Sequence, residues 1–93
     1  MAGNTSGAGL MQVTFKLYAS LMPLLPPGTK GHAVSVDIDD DTTLQQLIDR
    51  FNIDDQQAFL VMVNGVYVPQ EMRHSYALKA QDVVAIWPKV AGG

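Results

Sequence analysis

Only one segment of this 93-residue chain reads as a helix, and that imbalance against strand and turn restricts the folds open to it. Asp39, Asp40 and Asp41 lead into Thr42 and Thr43, and Leu44, Leu47, Ile48 and Phe51 then recur at i, i+3, i+4 and i+7. That spacing lays a single apolar stripe along an α-helix. Thr42 and Gln45 have the separation of a capping box, and the carboxylates ahead of them complement the positive end of the helix dipole. Asn52 suits a left-handed stop. Gln45, Gln46, Asp49 and Arg50 fall away from the stripe and are expected to face outward. One striped helix needs an apolar surface to cover it, and the rest of the pattern supplies a sheet.

Gln12 to Tyr18 alternates, with Val13, Phe15 and Leu17 on one face, and Val34, Val36 and Ile38 repeat the alternation with Ser35 and Asp37 on the other. Pro23, Pro26, Pro27, Gly28 and Gly31 make residues 20–31 a loop between two antiparallel strands. After the helix, Ala58 to Val63 is an apolar run that ends at Asn64-Gly65, the pair favoured where both turn positions need positive φ. Val66 to Val68 returns as a short strand and Pro69 closes it. Residues 70–82 are polar and irregular except for Leu78, expected to reach the core from a turn. Val83 to Trp87 is the last strand, stopped by Pro88. The order β-β-α-β-β-β predicts an α+β fold: a mixed sheet of four to five strands with one helix across it.

The chain is long enough for one domain and not for two. Residues 1–11, which open with small and polar side chains, are expected to be a tail. Residues 12–88 form the domain, and residues 89–93 form an arm that reaches about 17 Å when extended.

Charge and composition exclude several classes of function. Six Lys and Arg against nine Asp and Glu leave a net charge of −3, so no basic stripe is present for nucleic acid. With no cysteine there is no disulfide framework, thiolate metal site or cysteine nucleophile. The apolar runs fall far short of the roughly 20 residues that span a bilayer. No basic-then-apolar leader opens the chain, so a cytoplasmic location without a membrane partner is expected. His32 and His74 lack a second ligand at metal spacing. The acidic run Asp37 to Asp41 lacks the stepped ligands and glycine turn of a calcium loop. No serine sits in a nucleophile elbow. No metal site or bound cofactor is expected, and the chain is not expected to be an enzyme by itself.

Three features remain. If Val84 and Ile86 point inward, Val83, Ala85 and Trp87 point outward, and an exposed aromatic is a typical binding anchor. The opposite phase puts Trp87 in the core. Tyr18 and Tyr67 either extend that patch or are ordinary half-exposed tyrosines. The chain ends in Gly92 and Gly93, either a frayed end or a functional one.

Five segments taken together resemble the β-grasp (ubiquitin-like) sulfur carriers over residues 11–93. They are Val13-Thr14-Phe15-Lys16-Leu17-Tyr18-Ala19-Ser20-Leu21, Thr42-Thr43-Leu44-Gln45-Gln46-Leu47, Val63-Asn64-Gly65, Leu78-Lys79-Ala80-Gln81-Asp82-Val83-Val84-Ala85-Ile86 and Trp87-Pro88-Lys89-Val90-Ala91-Gly92-Gly93. The last is the specific one: it is similar to that family's aromatic-Pro-x-Val-x-Gly-Gly ending. Within the family the chain looks most like the MoaD type, the small subunit of molybdopterin synthase, and next like ThiS.

The resemblance implies a carrier whose Gly93 carboxylate is adenylated by a ubiquitin-activating-type adenylyltransferase, with ATP consumed by that partner, and then converted to a thiocarboxylate. It implies that Gly92, Ala91 and Val90 thread the partner's tunnel, where glycine's lack of Cβ is an advantage. Trp87, with Tyr67 and Tyr18, would lie at the partner interface. The sulfur would pass to a pterin precursor in the molybdopterin synthase large subunit. The alternatives are a carrier for thiazole synthesis or tRNA thiolation, a ubiquitin-like modifier conjugated through Gly93, and a plain binding module. The chain departs from the family's pattern at Met22-Pro23, where Arg-Glu is usual, and at Trp87, where Phe is commoner.

Overall fold

Successive side chains of a strand alternate between the two faces of a sheet, and in the first strand this puts Val13, Phe15 and Leu17 on a fully buried side. The computed structural model describes residues 10–89. Strand β1 is Leu10–Leu17 and β2 is Ala33–Asp39, paired antiparallel in the register Val13↔Val36 and Phe15↔Val34. β1 therefore starts two residues before the expected boundary at Gln12. Leu10 pairs with Asp39 and Met11 with Ile38; Met11 continues the inward alternation of Val13, Phe15 and Leu17 and packs against the core, whereas Leu10 is exposed.

The segment expected as a plain loop carries a 3₁₀ helix, Ala19–Leu24, that buries Leu21; Leu25 beyond it is also buried. Helix α1 spans Leu44–Arg50, followed by β3 (Leu60–Val63), β4 (Val66–Tyr67), a second 3₁₀ turn (Gln70–Met72) and β5 (Val83–Trp87). The sheet order is β2-β1-β5-β3-β4. β5 runs parallel to β1, with Phe15 opposite Val84 and Leu17 opposite Ile86, and antiparallel to β3. This is the expected mixed sheet, five-stranded, with one α-helix among the described residues. Leu44, Leu47 and Ile48 are wholly buried in the same core as Phe15, and Phe51 stacks on Phe15 with centroids 4.3 Å apart. The helix thus covers one face of the sheet, and among the described residues no helix packs on the other.

The capping box sits one residue later than the spacing of Thr42 and Gln45 suggested. The Thr43 hydroxyl accepts from the Gln46 N–H at 3.2 Å, and the Gln46 side chain accepts from the Thr43 N–H at 2.9 Å. Two overlapping Thr-x-x-Gln pairs occur in the sequence, and long-range pairing chooses between them. The Thr42 carbonyl is taken by the Leu78 N–H, and Thr43 forms a bridge with Ala77. Gln45, expected to face outward, is buried, because its N–H donates to the Arg73 carbonyl and the 70–78 segment covers that side of the helix. Asn52 adopts φ +60° and ends the helix as expected.

Asn64 and Gly65 have φ of +54° and +82°, the pair of positive values expected of the hairpin. Val68 is buried, whereas Val66 at the edge is exposed. Leu78 plugs the core as expected. No helix among the described residues is long and apolar enough to cross a membrane.

Candidate functional site

The free face of the sheet is where the sequence-derived candidates fall. Val84 and Ile86 are wholly buried because they stand opposite Phe15 and Leu17 on the helix-covered side. The alternation then sends Val83, Ala85 and Trp87 to the other face. Of these, Val83 and Trp87 are half-buried. Ala85 is covered by its flanking strands, where it pairs with Lys16 and Met62.

Trp87 does not stand alone. Leu17 and Ile86 are register partners in a parallel pair, so the next residues, Tyr18 and Trp87, emerge side by side. Their rings stack with centroids 4.4 Å apart and planes 2° apart, and the Tyr18 N–H donates to the Ile86 carbonyl at 3.2 Å. The other side of this pair meets the exposed His32, whose ring centroid is 4.7 Å from that of Tyr18. That His32 joins the aromatics is not legible from periodicity, because it lies in the loop before β2. Across β5, Trp87 pairs with Leu60, and Met62, two residues on, pairs with Tyr67. Tyr67 therefore shares the face but not the stack. It is exposed at the far edge strand and lines a separate cleft.

The free face thus presents a continuous apolar strip from Tyr18 and Trp87 through Leu60 and Met62 to Tyr67. The half of the face built on β1 and β2 is mostly polar, with Gln12, Thr14, Ser35 and Asp37. The strip is apolar, and polar residues bound it on the β1 and β2 side. Pro88 and Lys89 follow Trp87 directly, so the described chain ends at the rim of this strip. Val90, Ala91, Gly92 and Gly93, the proposed threading and reacting residues, lie outside the described residues.

A charged group that the sequence did not single out lies at the same end of the sheet. Arg73 is the largest fully buried side chain, and its Nε and Nη1 have no hydrogen-bond partner. Burial pulls its pKa down, and the charges of Asp55, Tyr67 and Glu71 oppose that pull. Among the described residues no group of three His, Cys, Asp or Glu side chains is placed to hold a metal ion.

The family model described as the ThiS family matches residues 16–93. The fold is shared with the HVO 2177 protein of Haloferax volcanii, at 22% identity and a TM-score of 0.70, covering 91% of this chain and 89% of that one. It is shared as well with SAMP1 from Haloferax volcanii in a crystal structure at 23% identity and a TM-score of 0.62, covering 88% of this chain and 99% of that one. A further crystal structure, of the small archaeal modifier protein 1 of that organism, matches at 23% identity and a TM-score of 0.63, covering 86% and 99%. At these identities the likeness is one of fold. No curated protein matches the sequence.

Proposed function

The chain belongs to the ThiS family, and on that premise we propose that it is a sulfur carrier that works through the carboxylate of Gly93. The observation that carries this reading is the origin of the arm. β5 is hydrogen-bonded to β1 on one side and β3 on the other, so the strand that launches the arm is held on both edges. The aromatic pair of Trp87 and Tyr18 stands at its exit. A partner that docks on the aromatic strip would receive the arm in a fixed direction.

The chemistry then belongs to the partner's site. A carboxylate oxygen of Gly93 attacks the α-phosphorus of ATP held by an adenylyltransferase, and pyrophosphate leaves. Hydrosulfide supplied by the sulfur donor next attacks the acyl carbon, AMP leaves, and the thiocarboxylate remains. Gly92 and Gly93 pass a narrow channel because neither carries a Cβ, and Val90 and Ala91 add only small apolar side chains. ATP is the partner's substrate, and the carrier itself binds no cofactor. For the sulfur acceptor, the similarity of the Trp87 to Gly93 ending to the MoaD type favours the large subunit of a molybdopterin synthase. A carrier for thiazole synthesis or tRNA thiolation is the alternative within the same chemistry.

A second reading has an observation of its own: two of the structural neighbours are named as a small archaeal modifier protein. By that reading Gly93 forms an isopeptide bond with lysines of other proteins. Intact mass of the chain recovered from its own cells separates the two. A carrier gains mass equal to the replacement of one oxygen by sulfur, whereas a modifier is found joined to other chains. Recovery of only the free, unmodified carboxylate under sulfur-replete growth would sink the carrier reading.

A further inference from the structure

A cleft of about 600 Å³ opens where β5 passes into the arm, with Asp55, Phe59, Tyr67, Gln70, Arg73 and Lys89 among its walls. Packing does not account for its chemistry. Arg73 is 1% exposed, yet its Nε and Nη1 lack acceptors. Buried donors are nearly always paired, because an unpaired one has given up water for nothing. The cleft carries two cations, Arg73 and Lys89, against the single carboxylate of Asp55, in a chain of net charge −3.

We infer that this cleft is a carboxylate site whose occupant is the chain's own arm, the Gly93 carboxylate docking on the fork of Arg73. The inference rests on the reading that Gly93 is the reactive end. A guanidinium presents parallel N–H groups that match a carboxylate's two oxygens. By turning toward the cleft, Arg73 exchanges its unpaired donors for that bidentate pair. Lys89 already lines the wall, so Val90 begins at the cleft. The four residues from Val90 to Gly93 reach at most about 14 Å, which keeps their end beside the Arg73 wall at high local concentration. Val90 and Ala91 give the exposed rings of Phe59 and Tyr67 something apolar to cover them.

The test uses the full isotope-labelled chain in two forms, one with the free Gly93 carboxylate and one with a Gly93 carboxamide, which removes the charge and keeps the length. The carboxylate form should show nuclear Overhauser contacts from the Val90 methyls to the Phe59 and Tyr67 rings. Its Arg73 Nε–Hε resonance should be displaced relative to the amide, and the contacts should be lost in the amide. Arg73→Lys keeps the charge without the fork and should lose the contacts as well. Since that variant can fail to fold, the amide comparison, which changes no side chain, decides. An Arg73 resonance identical in both forms, with no arm-to-ring contacts, overturns the inference. A resonance that responds only to added acetate, or only to the activating enzyme, overturns it too and gives the cleft to another carboxylate. None of these signals involves sulfur. If they appear in a chain that no ATP-dependent partner activates, the site stands and the carrier reading falls.

Discussion

Trp87 lies flat on Tyr18, 4.4 Å between ring centroids and 2° between planes, because parallel pairing brings the ends of β1 and β5 out together. The stack fixes the ring at the point where the arm departs. An anchor already held in its bound rotamer loses less entropy on docking than a free one.

Removing either ring should therefore have two separable effects. Trp87→Ala should leave a folded domain, destabilised by about 1 kcal/mol through the lost stack, well short of the roughly 3–5 kcal/mol typical of a core tryptophan. Its affinity for the activating enzyme should fall by about 2 kcal/mol or more. In a denaturant-melt cycle with Tyr18→Ala, the two losses should overlap by about 0.5–1.5 kcal/mol. Strict additivity would mean that the stack contributes nothing to stability.

The hairpin offers a substitution that turn rules alone would permit. Asn64→Gly keeps the positive φ, but the Asn64 side chain also donates to Asp82 Oδ1 and accepts from the Val83 N–H, both at 2.8 Å. Asp82 in turn accepts from the Lys79 N–H at 2.8 Å. Deleting the amide unpairs a half-buried network and should cost about 1–3 kcal/mol. Gly65→Ala meets no atom within 4 Å, so its cost is the strain at φ +82°, about 1–2 kcal/mol. Urea midpoints for Asn64→Gly equal to the wild type would show that the turn alone selects asparagine.

The cap can be assigned the same way. Thr43→Ala should lose about 1 kcal/mol, since the hydroxyl satisfies the Gln46 N–H. Thr42→Ala should lose clearly less, because Thr42 acts through its backbone carbonyl. The reverse order in thermal melts would put the helix start back at Thr42.

These three sites show where sequence reading succeeded and where it stopped. Asn64-Gly65 and the stripe Leu44, Leu47, Ile48 and Phe51 are local signals, and local rules located them. The choice between Thr42 and Thr43 needed Leu78 and Ala77, more than 30 residues downstream. The side of Trp87 was undecidable from alternation, which has two phases. The pairing of Val84 and Ile86 with Phe15 and Leu17 selects one. Arg73 was invisible. Arginine is almost never fully buried, and its burial comes from a segment with no periodicity folding over α1. Of the candidate site, the aromatic strip was thus half legible, and the Arg73 cleft was not.

The function rests on the arm, and deleting Gly93 tests it most directly. Pro88 ends the last strand and the core lies behind it, so the loss should leave a cooperatively folded domain. The chemistry has no such tolerance. Adenylation needs the acyl carbon within about 3–3.5 Å of the bound nucleotide, and one residue of shortening withdraws it by roughly that much. Pyrophosphate exchange with the cognate activating enzyme should therefore disappear. An extra residue after Gly93 should be nearly as damaging, since it displaces the reactive carbon and presents a side chain to the channel. Gly92→Val should fall between: it keeps the length but adds a β-branched group that resists positive φ. A chain lacking Gly93 that is adenylated and sulfurated like the full one would remove the basis for any tail chemistry and leave only a binding module.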